Sequence, residues 1–133
     1  WLEKNALIVS EKTGSKTIEE IRATGNNPLK GMKTVILLDG TSASASEIVA
    51  GALKENKAAT IVGEKSYGKG SVQTTIDMSG GALLKVTIAK WYTPNGENIS
   101  NNGISPDVEV KAPENQSYLL NDVQKNKALD LLK

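Results

Sequence analysis

Apolar and polar positions fall along this chain in blocks whose period changes, and each change marks an element. Residues 6–10 form a short apolar run that reads as a strand, and the polar, glycine-containing stretch 11–16 reads as a hairpin turn. Residues 17–24, with Ile18 and Ile21 three apart, suit either a strand or a helix, and the turn before them favours the returning strand. Gly25-Asn26-Asn27-Pro28 is a loop by composition. Residues 33–38 then make an apolar run of the kind that suits a strand buried on both faces, in a parallel or mixed sheet covered by helices.

From 44 to 56, Ile48, Val49, Ala52 and Leu53 recur at helical spacing among alanines, which predicts a helix. Residues 58–62 read as a second buried strand. A strand, helix, strand order implies a parallel crossover, so the centre of the chain is predicted to be α/β. Two extended segments follow, 71–76 and 82–92, joined by Ser79-Gly80-Gly81. In the second, Leu84, Val86 and Ile88 alternate with Lys85 and Thr87. Thr93-Pro94-Asn95-Gly96 and Asn101-Asn102-Gly103 are turn sequences, and 107–110 is a last short strand. The tail 117–133 carries Leu119, Val123, Leu129 and Leu132 among charges, which predicts an amphipathic helix.

Composition narrows the chemistry. The 133 residues suit one domain, and 38% hydrophobic with 23% charged residues is the balance of a soluble globular chain. Cysteine is absent, which removes disulfides, thiolate nucleophiles and thiolate metal sites, and permits an extracytoplasmic location. Histidine is absent too, so a serine hydrolase built on this chain needs another base, and lysine is the remaining candidate. The net charge is +1 and Arg22 is the one arginine among 16 basic residues, which argues against nucleic-acid recognition. No apolar run approaches the roughly 20 residues that span a bilayer. The chain opens on Trp1 without a start methionine or signal peptide, as a piece of a longer protein would.

The candidate chemistry lies between 33 and 75. After the central strand comes Asp39-Gly40-Thr41-Ser42-Ala43-Ser44-Ala45-Ser46-Glu47, a run of small residues leading into the helix. Ser44 and Glu47 have capping-box spacing, in which hydroxyl and carboxylate satisfy orphan amides at a helix start. The same helix start suits a nucleophile, because its unpaired amides and partial positive charge lie where an oxyanion would develop. The amide of Ala45 is then the nearest donor. Ser42, Ser46 and Ser44 compete for the role, and spacing does not separate them.

Lys69 stands 25 positions after Ser44, between Gly68 and Gly70. Gly63-Glu64-Lys65-Ser66-Tyr67-Gly68-Lys69 matches the start of a phosphate loop, but Gly70 replaces the magnesium-binding hydroxyl and the following residues suit a strand, not a helix. A surface turn is the plain alternative. A lysine that acts as a base must instead be neutral, which takes burial in apolar surroundings. In a regular strand Gln73 would lie on the same side as Lys69 and Ser71, where its amide could orient the amine.

These residues resemble the carboxyl-terminal processing peptidases, or tail-specific proteases. The resemblance covers nearly the whole chain. Its most specific parts are Gly40-Thr41-Ser42-Ala43-Ser44-Ala45-Ser46-Glu47-Ile48 and Tyr67-Gly68-Lys69-Gly70-Ser71-Val72-Gln73, supported by Trp91-Tyr92-Thr93-Pro94-Asn95-Gly96 and Gly103-Ile104-Ser105-Pro106-Asp107. It implies Ser44 as nucleophile, Lys69 as general base and Gln73 as the base's support, and leaves Ser42 and Ser46 to packing or capping. Glu55 falls where some members carry an acidic residue near the site, and is read as structural.

The resemblance further implies a partial crotonase-like or caseinolytic-protease-like core, an α/β mixed sheet with flanking helices. Residues 1–133 would be the C-terminal part of that core, following a PDZ domain and a glycine-rich segment that provides the other oxyanion amide. The expected activity is endopeptidase cleavage near the C-termini of polypeptide substrates in the periplasm or cell envelope, without metal or organic cofactor and without nucleic acid. A homo-oligomer is compatible with it. The isolated chain is expected to have low activity. The alternative is a non-catalytic peptide-binding or assembly module on the same fold.

Overall fold

The computed structural model describes residues 1–113 and 122–133. Its elements run β1 (Leu7–Thr13), β2 (Lys16–Arg22), β3 (Val35–Leu38), α1 (Ala45–Glu55), β4 (Thr60–Gly63), β5 (Ser71–Asp77), β6 (Leu83–Tyr92), β7 (Val108–Glu109) and α2 (Val123–Leu132). The strands divide into an antiparallel sheet of order β2-β1-β6-β5 and a parallel sheet of order β3-β4-β7. Parallel and antiparallel pairing are both present, as expected, but in two sheets instead of one mixed sheet.

The core lies where α1 meets the parallel sheet. Leu38, Ala50, Ile61, Ile99 and Ile104 are buried together, with Ile36, Ile48 and Trp91 packed against them. The alanines of α1 explain its close approach, since short side chains let a helix lie near a sheet. Helix α1 contacts β1 as well as β4, so it touches strands of both sheets, whereas α2 contacts β3 and β4.

Among the differences from the sequence reading are three at β4, β3 and the tail. β4 starts at Thr60 because Lys57 takes a left-handed conformation (φ 58°) after α1, and the amides of Ala58 and Ala59 bond back to the Leu53 carbonyl at 2.7 and 3.2 Å. β3 is not buried on both faces: Leu38 is buried, but Leu37 is 42% exposed. In the tail, α2 starts at Val123 after its Asp122 cap, and only part of it faces the protein, with Ala128 buried and Leu129 49% exposed. The start of the predicted tail helix, Leu119 included, lies outside the described residues. No helix among the described residues is long and apolar enough to cross a membrane.

Gly63 closes β4 and turns the chain toward Lys69. Its φ is 124°, and a Cβ placed on it would run into the carbonyl oxygen of Leu38 on the neighbouring strand. Gly63→Ala should therefore lower stability by about 3 kcal/mol, from backbone strain plus steric displacement. A urea-denaturation midpoint equal to that of the wild type would show that the strand end relaxes freely.

Candidate active site

Three loops converge on the N-terminus of α1. The first is 39–44, which leaves β3 through a turn built on the Asp39 side chain. Oδ1 of Asp39 accepts the Thr41 hydroxyl (2.7 Å), the Thr41 amide (2.9 Å) and the Ser42 amide (3.0 Å). The hydrogen bonds from Thr41, with those from Ser42, hold the Asp39 carboxyl below its ordinary range. A depressed carboxyl stabilises the fold above its unfolded pKa and loses that contribution as pH falls through the folded value, so this turn weakens only in acid.

Ser42 and Ser44 are placed differently. The Ser42 hydroxyl belongs to the Asp39 turn, donating to Oδ1 at 3.1 Å and accepting the Asp39 amide at 3.2 Å. Ser44 is the helix N-cap, exposed, with φ 59° and ψ −118°. A positive φ in a non-glycine residue is a strained conformation that costs of the order of 1–3 kcal/mol. Sharp strand-to-helix turns of this kind lift a serine hydroxyl clear of the backbone. Next to it, the Ala45 amide has no acceptor among the described residues, as expected of an orphan donor in a first helical turn. Ser46 is exposed one position further on.

The predicted capping box is present in arrangement, but its strongest contacts differ from the simple motif. The Glu47 amide, near the Ser44 hydroxyl, hydrogen-bonds to the Ser44 carbonyl oxygen at 2.9 Å. The Glu47 carboxylate, fully buried, reaches well beyond the cap. Its Oε2 accepts the amide of Ser44 and the amide of Lys69, both at 2.8 Å. Its Oε1 accepts the Ser66 hydroxyl and the Gly68 amide, both at 2.6 Å. A carboxylate taken out of water without a cation is costly unless its lone pairs are filled. Here four donors fill them, each charge-assisted bond contributing about 1.5–3 kcal/mol. The helix N-terminus adds its own partial positive charge.

Glu47 thus pins the serine loop and the lysine loop to one oxygen atom. The backbone nitrogens of Ser44 and Lys69 are each 2.8 Å from it, so they can be no further apart than twice that distance. The Ser42 carbonyl adds a second stitch by accepting the Tyr67 amide at 2.9 Å. Sequence reasoning identified Glu47 only as a cap, because three of its four donors lie 19 to 22 residues away. The one local signal was the presence of an acid directly behind three serines.

The other predicted residues are placed as follows. Lys69 is exposed. Gln73 lies in β5 opposite Thr87, just past a register shift in which Ile88 is the extra residue on β6, and its amide donates to the Thr87 hydroxyl at 3.2 Å. Glu55 accepts the Asn95 amide at 2.6 Å and so secures the 93–96 turn, a structural role. The phosphate-loop reading finds no helix after Lys69, since β5 begins at Ser71.

The chain belongs to peptidase family S41, whose sequence pattern matches residues 1–110. It is 43% identical over 130 residues to a "Probable CtpA-like serine protease" of Staphylococcus epidermidis, covering 96% of this chain and 26% of that protein. It is 49% identical over 89 residues to a carboxy-terminal-processing protease of Bartonella bacilliformis, covering 67% of this chain and 20% of that one. The photosystem II D1 C-terminal processing protease superposes with a TM-score of 0.78 at 37% identity, over 83% of this chain and 28% of that structure. The chain therefore spans about a quarter of the length of the relatives it matches.

Proposed function

We propose that the protein carrying this chain is a serine endopeptidase that cleaves polypeptides near their C-termini through a Ser44–Lys69 dyad. The observation that carries the reading is the shared Glu47 oxygen, which brings the backbones of these two residues together at the strained N-terminus of α1. In the proposed reaction the Ser44 hydroxyl attacks the scissile carbonyl while the neutral Lys69 amine takes its proton. The Ala45 amide donates to the oxyanion. The tetrahedral intermediate then expels the amine, which receives the proton from Lys69, and water hydrolyses the acyl-enzyme by the same route. Acyl transfer of this kind requires no metal or organic cofactor. Gln73 is proposed to support the amine, which requires its amide to leave Thr87.

The exposure of Lys69 bears on where this chemistry can run. A base lysine needs apolar cover, and in the 133-residue chain the side chain faces solvent. The proposal therefore places the cover, the second oxyanion donor and a PDZ substrate gate in other parts of the full-length protein, with the whole acting outside the cytoplasm.

The test is to incubate the full-length protein with an unfolded polypeptide of known sequence and map the products by mass spectrometry. New C-termini close to the original one are expected. The 133-residue chain alone should work about 100 to 1,000 times more slowly, the usual cost of one missing oxyanion donor. Cuts scattered without regard to the substrate's C-terminus would refute the specificity, and equal rates from chain and full-length protein would refute the division of the site.

A further inference from the structure

The third loop at the site, 99–104, carries none of the proposed catalytic groups, yet it is tied to them through backbone hydrogen bonds and one buried hydroxyl. Ser66 is 6% exposed. Its Oγ donates to Glu47 Oε1 at 2.6 Å and accepts the Ile104 amide at 2.7 Å. The direction of both bonds is set by chemistry, because an amide nitrogen only donates and a carboxylate only accepts. The Ser66 amide in turn donates to the Ile104 carbonyl at 3.1 Å, and the Asn101 amide to the Gly68 carbonyl at 2.9 Å. The two loops lie backbone against backbone: a Cβ on Gly103, whose φ is 62°, would run into the Ser66 carbonyl oxygen.

We infer that Ser66 is a positioning residue for the proposed reaction, its hydroxyl transmitting the placement of the 99–104 loop to the Glu47 carboxylate and so to Ser44 and Lys69. The inference rests on the dyad reading above. Loop 99–104 is anchored in the core by Ile99 and Ile104, both buried, so it is a firm reference. The Ser66 hydroxyl is the side-chain link between that reference and a carboxylate that holds the nucleophile's and the base's amides on its other oxygen. Without it, Glu47 keeps three of its four donors, the Ile104 amide loses its acceptor, and the carboxylate is held less firmly against the two catalytic loops. A displacement of about 1 Å at reacting groups costs roughly 100-fold in rate.

The experiment compares Ser66→Ala, Ser66→Thr and Ser66→Val in the full-length protein with Ser44→Ala as reference, each assayed below its measured unfolding temperature. Threonine and valine have the same shape and differ by the hydroxyl. The alanine and valine forms should lose roughly 100-fold in kcat with KM within about threefold of wild type, and the threonine form should keep kcat within about tenfold. A KM that holds while kcat falls separates positioning of reacting groups from general loss of the binding surface. Equal kcat for the threonine and valine forms would overturn the inference, as would an alanine form working at the wild-type rate. An inactive Ser44→Ala beside a fully active Ser66→Val removes the Ser66 link alone, whereas an active Ser44→Ala removes the site reading beneath it.

Discussion

Ser44→Ala in the full-length protein should reduce peptide cleavage by roughly 10,000-fold or more, the scale on which serine peptidases respond to loss of their nucleophile. Two observations favour Ser44 among the three serines as the proposed nucleophile. Ser42 has its hydroxyl committed to the Asp39 turn on both the donating and the accepting side. Ser44 has the positive φ and the amide held by Glu47, next to an Ala45 amide with no acceptor among the described residues. Ser46→Ala should consequently keep most of the activity, because that side chain is exposed beyond the turn. Initial rates on an unfolded polypeptide, with folding checked by circular dichroism, separate the two. Wild-type cleavage by Ser44→Ala, or its loss in Ser46→Ala alone, would move the nucleophile elsewhere.

Much of the fold was legible because its signals are local. The helix expected over 44–56 is α1 with its two caps, Ser44 and Asn56, since small residues, apolar spacing and the acid at the third position all point the same way. The hairpin was readable from its polar turn, although β1 and β2 run closer together than expected, leaving Gly14 and Ser15 between them. What sequence did not show was depth. The apolar run of β3 promised burial on both faces, yet Leu37 is exposed, as are Leu84 and Ile88 on β6. A run of apolar residues records that a strand is meant to be covered, and the cover need not lie within the same 133 residues.

The site was legible as a set of residues and not as an arrangement. Ser44 and Lys69 were picked out by motif, but nothing in the string indicates that one buried carboxylate would hold both loops. Glu47 meets its partners at Ser66, Gly68 and Lys69 only after β4 has returned the chain beside β3. Ser66 was even harder to see, because a serine before a glycine-flanked lysine has the appearance of loop filler. Its importance comes from a second long-range contact, to Ile104, 38 residues away. Gln73 shows the reverse limit: its strand partner could not be read from the sequence, and the pairing sets it opposite Thr87, whose hydroxyl takes its amide.

The second large effect concerns the base, and it bears most directly on the proposed dyad. A neutral amine must accept the Ser44 proton, so the rate should rise with pH as that amine loses its own proton. The chain contains no histidine that could titrate near 6.5. The ascending limb of the profile is therefore expected to depend on Lys69. Lys69→Arg should abolish cleavage at every pH in the range, because a guanidinium stays protonated and cannot take the proton. Lys65, four residues earlier and also exposed, is the control, and Lys65→Arg should leave both rate and midpoint unchanged. The decisive measurement is thus the pH–rate profile of full-length Lys69→Arg beside wild type and Lys65→Arg, with folding confirmed. The Ser44–Lys69 account predicts a flat, inactive profile for Lys69→Arg alone, and it would be contradicted by an active Lys69→Arg enzyme that retains the wild-type ascending limb.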